Sequence, residues 1–450
     1  MSYIPNTDAD RAAMLETIGV RSVDELFADI PSGARARELD LPAPLSEMEA
    51  VRHMRELADQ NADLGRYACF LGAGAYRHYI PSTVAHVIGR SEFYTAYTPY
   101  QPEVSQGTLQ TIYEYQSMLT ELTGMDAANA SMYEGASALA EAVIMALVVT
   151  GRHKVVLART VHPQYREVAR TYGEGRDVRF EEVGPSLAGA FDGRLSLETA
   201  RAALDEETAA LVVQQPNFLG SIEELRRLAE AAHAVGALMV VAINPIALAL
   251  LEAPGAAGAD IVVGEGQPLG IPLAYGGPWL GIFAARDKYV RQMPGRIVGM
   301  TTDVDGRRGF VLTLQTREQH IRRERATSNI CTNVALCALA STVYLSTLGK
   351  SGLRQVASLS LQKAHYLADR VATLPGCSVA SRAPFFNELV VRCHEPVEAL
   401  RRRLADRQIL AGYALGQDYP ELADALLLCC TEVNTRAEID RLVVALGEGR

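Results

Sequence analysis

"DIVVGEGQPLGIPLAYGGPWLG", Asp260 to Gly281, decides the fold. An acidic residue leads into a short apolar run, and a crowd of glycines and prolines follows. Continuous apolar runs of this length belong to strands covered on both faces. The stretches before it repeat the theme: "KVVLART", "VRFEEV", "AALVVQQ" and "ALMVVAIN" are predicted strands. Between them, "PQYREVARTYG" is helical and "SIEELRRLAEAAHAVG" is a capped helix closed by Gly236. Strands spaced by helices require crossovers, so the expected fold is α/β with a mostly parallel sheet. Ligands in such sheets sit beyond the carboxyl ends of the strands, where Asn217, Asn244 and the Glu265 to Gly270 turn fall.

Three parts are expected along the chain. Residues 1–62 are an N-terminal helical segment: "SVDELFADIP" begins with a Ser22 cap, and Ser46 and Glu49 form a capping box. Residues 63–325 hold the large α/β domain. Residues 326–450 open with a long buried helix, "TSNICTNVALCALASTVYLSTLG", ending near Gly349. A second helix, short strands and a helix opened by a Thr435 and Glu438 box complete a small C-terminal α+β domain.

At 450 residues and 48% hydrophobic, the chain can bury roughly three quarters of its unfolded surface. A net charge of −10 argues against nucleic-acid or anionic-membrane partners, which need phosphate-neutralising surface. "MSYIPNTDAD" lacks the apolar core of a secretory signal, and "ALAEAVIMALVVTG" is too short to span a bilayer and contains Glu141. The expectation is a cytoplasmic protein. Seven scattered cysteines, with no C-x-x-C, suggest buried thiols and no metal site.

Glycine pairs such as Gly72 and Gly74 fall short of a dinucleotide fingerprint. In "MYEGASALAEA", Gly135, Ala136 and Ser137 open an apolar helix, either as a phosphate cradle or as an ordinary small-residue start. The Asp260 to Gly281 turn has the shape of one whose lysine holds pyridoxal phosphate, yet Gln267 stands where that lysine is wanted. The four lysines, Lys154, Lys288, Lys350 and Lys363, all lie elsewhere, so the chain lacks the amine that such chemistry requires. Tyrosines crowd "EFYTAYTPYQPEVSQGTLQTIYEYQ". Pro99 and Pro102 forbid regular structure there, predicting a loop over 95–107 that is either an interface or the wall of a binding cleft. His78 and His162 are the histidines best placed for work, although a histidine at a strand exit is more often structural.

These stretches, with "FLGAGAYRHYIP", "VHPQYREVARTY", "GEGQPLGIPLAYGGP" and "TLQTREQHIRRERATSNICTN", resemble the glycine cleavage system P-protein family, in its subunit 1 form, over essentially the whole chain. The resemblance implies a pyridoxal-phosphate fold-type I architecture with a large domain and a small C-terminal one. It places Gln267 at the Schiff-base lysine and Ala242 near the aspartate that holds the pyridine nitrogen. It therefore implies no cofactor bound covalently here and pyridoxal phosphate on the partner, glycine dehydrogenase subunit 2. The implied reaction decarboxylates glycine, releases carbon dioxide and passes the aminomethyl group to the lipoyl arm of H-protein. No catalytic residue is expected in this chain alone. Tyr94, Tyr97, Thr98, Tyr100 and Gln101 are the expected contribution to the partner's site in trans. The alternatives are an independent pyridoxal-phosphate decarboxylase or aminotransferase, and a purely structural scaffold for subunit 2.

Overall fold

The computed structural model describes residues 5–35 and 40–448; the opening residues 1–4 of the N-terminal stretch lie outside them. The chain divides into two compact units, one up to Ala62 and one from Asp63 onward. In the first, helices Asp8–Ile18 and Glu47–Ala58 each start with a capping box, the second being the Ser46 and Glu49 pair. The Ser22 expectation fails, because Val23–Phe27 forms a 3-10 helix with no side-chain cap bond from Ser22.

The second unit is built on a seven-stranded sheet. Its strands are β1 (Ala127–Ala128), β2 (Lys154–Ala158), β3 (Arg179–Val183), β4 (Thr208–Gln215), β5 (Leu238–Ile243), β6 (Ile261–Glu265) and β7 (Gly281–Ala285). The spatial order is β1-β7-β6-β5-β4-β2-β3. From β6 to β3 all neighbours are parallel, while β7 runs antiparallel to β6 and β1 antiparallel to β7. Strands β2, β5 and β7 are buried at every position, as continuous apolar runs covered on both faces require. The helix Gly135–Thr150 packs on the sheet, with Ala138, Leu139, Ala142 and Val143 in the same core as Val156, Val212 and Val241.

A hairpin, β8 (Ile297–Thr302) and β9 (Arg308–Thr313), packs on the helix Gln106–Thr123 through Leu109, Ile112, Val298 and Phe310. Gln116 pairs in both directions with the backbone of Val298, and Gln106 with that of Phe310. The glutamine amides thus act as extra strand neighbours. The predicted loop over 95–107 ends earlier than expected: one 3-10 turn spans Pro102–Val104, and the helix begins at Gln106.

The long helix also starts late, at Ala335, and residues 327–334 are not helical. Their polar groups bind a neighbouring segment instead: the Cys331 amide donates to the Tyr133 hydroxyl, Asn333 to the Ala130 carbonyl and the Val334 amide to the Ser131 hydroxyl. At Gly349, φ +59° and ψ −173° mark a break before helical residues resume to Val371. Four antiparallel strands follow, β10 (Cys377–Val379), β11 (Glu388–Cys393), β12 (Tyr413–Ala414) and β13 (Ala425–Cys429), in the order β10-β11-β13-β12. The helix Arg436–Gly447 opens with the Thr435 and Glu438 capping box. The cysteines are less buried than expected: Cys331 is exposed, and Cys337 and Cys377 are half-buried. Among the described residues no helix is long and apolar enough to cross a membrane, and no group of three or more His, Cys, Asp or Glu is placed to hold a metal ion.

Candidate functional site

The turn after β6 is closed by its own side chains. Gln267 is 2% exposed, and its amide is fully engaged. Nε2 donates to the carbonyls of Tyr76 at 2.9 Å and Ile271 at 2.8 Å, while Oε1 accepts the Tyr76 amide at 2.8 Å. Glu265, at the end of β6, receives the amides of Gln267 (2.9 Å), Leu280 (2.9 Å) and Gly135 (3.0 Å). Burial pushes its carboxyl up to about 7, against those three hydrogen bonds.

The start of the helix Gly135–Thr150 is filled from the same side. Glu134 caps it, accepting the Ser137 amide and hydroxyl, and Glu265 takes the Gly135 amide. Tyr165 covers Gly135 so closely that an added Cβ would lie 2.1 Å from its hydroxyl oxygen. The amides of Gly135 and Ser137 that a phosphate would seek at this helix start are occupied by carboxylates, which would also repel one.

The segment from Gly72 to Tyr79 is bound from several directions. The buried carboxyl of Glu388 on β11 accepts the Ala73 amide at 2.6 Å and the Tyr76 hydroxyl at 2.7 Å. An added Cβ on Gly72 would come within 2.6 Å of the Cys429 Cβ as well as against that carboxyl, so glycine is needed here. His162 accepts the Gln164 amide on Nδ1, so Nε2 carries the proton and donates to the Ala73 carbonyl at 2.9 Å. Burial lowers its pKa, and the neutral ring is stacked on Tyr165. His78 Nδ1 lies 2.6 Å from Glu432. Burial works against ionising Glu432, but bonds from His78 and the Tyr79 amide hold it below its ordinary value. Both ring nitrogens of His162 are therefore committed to structure, whereas His78 keeps a buried Nε2 without a hydrogen-bond partner.

Ala242 is buried in β5 between Gln214 and Val263 and offers no charge. Asn217 is used up organising its own loop, donating to the Gly193 carbonyl and Glu223 and accepting two amides. Asn244 accepts the Ile246 amide. Among the lysines, Lys154 is bonded to the Ala203 carbonyl and Asp205, and Lys363 to the Glu432 carbonyl. A pyridoxal phosphate here would meet no lysine in the turn, no acid at Ala242 and occupied amides at the helix start, so the residues present do not fit the group.

The tyrosine-rich segment has a different character. After the single turn Ser91–Tyr94 it runs without regular structure to Gln101. Tyr94, Tyr97 and Tyr100 are exposed, Tyr97 by 85%. Tyr94, Tyr97 and Thr98 line a cavity of about 270 Å³ together with Thr332, Asn333 and Leu336. Gln101 is exposed and is not among its lining residues. Beneath the loop lies Arg296, which sequence reasoning did not single out. The signal was available in "MPGRIVG": an arginine at the mouth of an apolar strand is a charge about to be buried. The segment 129–135 joins the two places, since Ala130 donates to the Arg296 carbonyl and Glu134 starts the helix beside Glu265.

The sheet and its covering helices match a sphingosine-1-phosphate lyase from Burkholderia pseudomallei with a TM-score of 0.67 at 15% identity, over 94% of this chain and 93% of that one. The fold is that of the pyridoxal-phosphate enzymes of fold type I. Within that class the likeness narrows. A crystal structure of "glycine decarboxylase (P-protein) of the glycine cleavage system, in inhibitor-bound form" matches with a TM-score of 0.91 at 45% identity, covering 100% of both chains. A protein of Desulforamulus reducens named "Probable glycine dehydrogenase (decarboxylating) subunit 1" is 56% identical over 448 residues, 99% of each chain. Residues 1–446 match the family described as "Glycine cleavage system P-protein". The chain belongs to that family, takes the P-protein role in glycine cleavage, and is similar to subunits of an oxidoreductase.

Proposed function

We propose that this chain is the subunit of the decarboxylating enzyme that carries no pyridoxal phosphate, and that it completes the active site of a partner, subunit 2. The observation that carries the reading is the turn after β6, where Gln267 and Glu265 are spent on backbone partners. The cofactor, on the partner, would supply the electron sink for the carbanion left when glycine loses carbon dioxide. The aminomethyl group then passes to the lipoyl arm of H-protein. The contribution in trans is the exposed loop: Tyr94, Tyr97, Thr98, Tyr100 and Gln101 as wall and hydrogen-bonding groups around glycine or the lipoyl arm. The division into a large domain at 63–325 and a small one at 326–450 is part of this proposal; the C-terminal strands and helices gather Leu389, Leu426, Leu442 and Leu446 in a core that Ala68 and Phe70 also enter.

The test is reconstitution. Decarboxylation is assayed with this chain and subunit 2, together and singly, in the presence of lipoylated H-protein. Turnover is expected only from the pair; full activity of subunit 2 alone overturns the reading. In the reconstituted pair, Tyr97→Phe and Gln101→Ala are each expected to lower kcat/KM about tenfold, the loss of one hydrogen bond's worth of barrier. Unchanged turnover and glycine affinity in both variants would remove the loop from the site. Borohydride reduction of the chain with pyridoxal phosphate addresses the independent-enzyme alternative. A pyridoxyl adduct on any of the four lysines decides in that alternative's favour.

A further inference from the structure

We infer that Arg296 is a positioning residue that fixes the tyrosine loop for the reaction, an inference resting on the loop's role proposed above. Arg296 immediately precedes β8 and is 3% exposed. A buried guanidinium is unfavourable unless its charge and donors are met. Here they are met mostly by hydroxyls. Nη1 donates to Thr332 Oγ1 at 3.0 Å and lies at 3.5 Å from Thr98 Oγ1, and Nη2 donates to the Tyr100 hydroxyl at 3.1 Å. The guanidinium carbon sits 5.3 Å from the centroid of the Tyr100 ring, within cation–π range. Among the described residues its ion-pair partner is the buried Glu318, 3.7 Å from Nε, and Nε has no hydrogen bond.

Two of the three hydroxyls belong to the loop, at Thr98 and Tyr100, and the third, Thr332, belongs to the irregular segment before the helix at Ala335, which lines the cavity opposite. One planar cation therefore sets the distance between both walls. Tyr94 and Tyr97, which Arg296 does not touch, are left exposed between the pinned points and their helix. A guanidinium suits this task because its donors have fixed directions, which a lysine ammonium lacks. Freed of Arg296, the loop keeps its proline-restricted shape but loses its anchor. Displacements of about 1 Å in a site can cost about 100-fold in rate.

The test compares Arg296→Met, Arg296→Lys and Thr332→Val, reading amide hydrogen exchange over residues 95–101 in the purified chain and kinetics in the reconstituted pair. Arg296→Met is expected to speed exchange in the loop while leaving β4 and β5 protected, and to lower kcat/KM for glycine about 100-fold. Lysine should restore kcat/KM to within about tenfold of wild type. Unchanged loop exchange in Arg296→Met overturns the inference, whatever the kinetics. Faster exchange with wild-type kcat/KM shows that Arg296 holds the loop but that the loop serves no catalytic purpose, and so overturns the proposed role of the loop. If Arg296→Met does not fold, Thr332→Val decides: it removes one bond without burying a new group, and loop exchange no faster than wild type overturns the inference.

Discussion

Gln267→Ala is expected to destabilise the chain by about 4 kcal/mol, read from the urea midpoint at constant m-value. The substitution removes three hydrogen bonds and leaves the Tyr76 amide, the Tyr76 carbonyl and the Ile271 carbonyl buried without their partner. Each orphaned buried group costs about 1–3 kcal/mol, with less than full additivity because two belong to one residue. Lysine, the residue that the family resemblance would put here, is no better a replacement. An ammonium offers only donors, so it would face the Tyr76 amide donor to donor. Glutamate fails in the opposite sense at neutral pH, since its carboxylate meets two carbonyl oxygens. Only an amide supplies donor and acceptor together. A loss below about 1 kcal/mol for Gln267→Ala would mean that the pairing with Tyr76 is incidental, and the case for a turn converted from chemistry to structure would go with it.

The sheet is legible in the sequence because its signal is local. A strand covered on both faces must be apolar throughout, and "ALMVVAIN" says so without reference to anything distant. The capping boxes at Ser46 and Thr435 are equally local, each joining residues three apart. The errors share a cause. Residues 327–334 have the pattern of a helix start, but their amides and side chains are taken by residues about 200 positions earlier. The helix expected from Ser221 begins at Leu225, because the Ile222 amide donates to the Pro384 carbonyl and the Ser221 hydroxyl lies beside Ser381, both about 160 positions later. Competition from long-range partners leaves no trace in a local pattern.

The same division runs through the candidate site. Gln267 and the tyrosines stand out because their residue types are unusual where they occur, whereas Ala242 is singled out only through the family resemblance. Glu265 is visible in the sequence only as part of a turn, and Glu388, Tyr165 and Arg296 carry no local mark of their roles. Those roles depend on what faces them: Tyr165 over Gly135, Glu388 against Ala73 and Tyr76, Arg296 between two hydroxyl-bearing walls.

Glu388→Gln is expected to stabilise the chain above neutral pH by about 3 kcal/mol and to leave it unchanged near pH 4. Burial drives the Glu388 carboxyl from an ordinary 4.5 up to about 7, against the bonds from Ala73 and Tyr76. A carboxyl raised in the folded state binds its proton more tightly there than in the unfolded chain. Its contribution is fully present below about pH 4.5, declines as pH rises through about 7, and is lost above it, at about 1.4 kcal/mol per pH unit between those two values. Glutamine keeps both hydrogen bonds without titrating: its oxygen accepts the Ala73 amide, and its NH2 donates to the Tyr76 oxygen in place of accepting from it. Unfolding free energies of both proteins at pH 5 and pH 8 test this, and parallel curves would show that the carboxyl does not titrate in that range. Glu265 is raised to the same value, yet the matching substitution there is expected to destabilise at both pH values. All three of its partners are amide donors, so the NH2 of a glutamine must oppose one of them. Two carboxyls with the same raised pKa thus part by the sign of their partners. Glu388 is a clamp that an amide can replace, whereas Glu265 fills with its acceptor oxygens the place beside the helix start where an anion would otherwise bind.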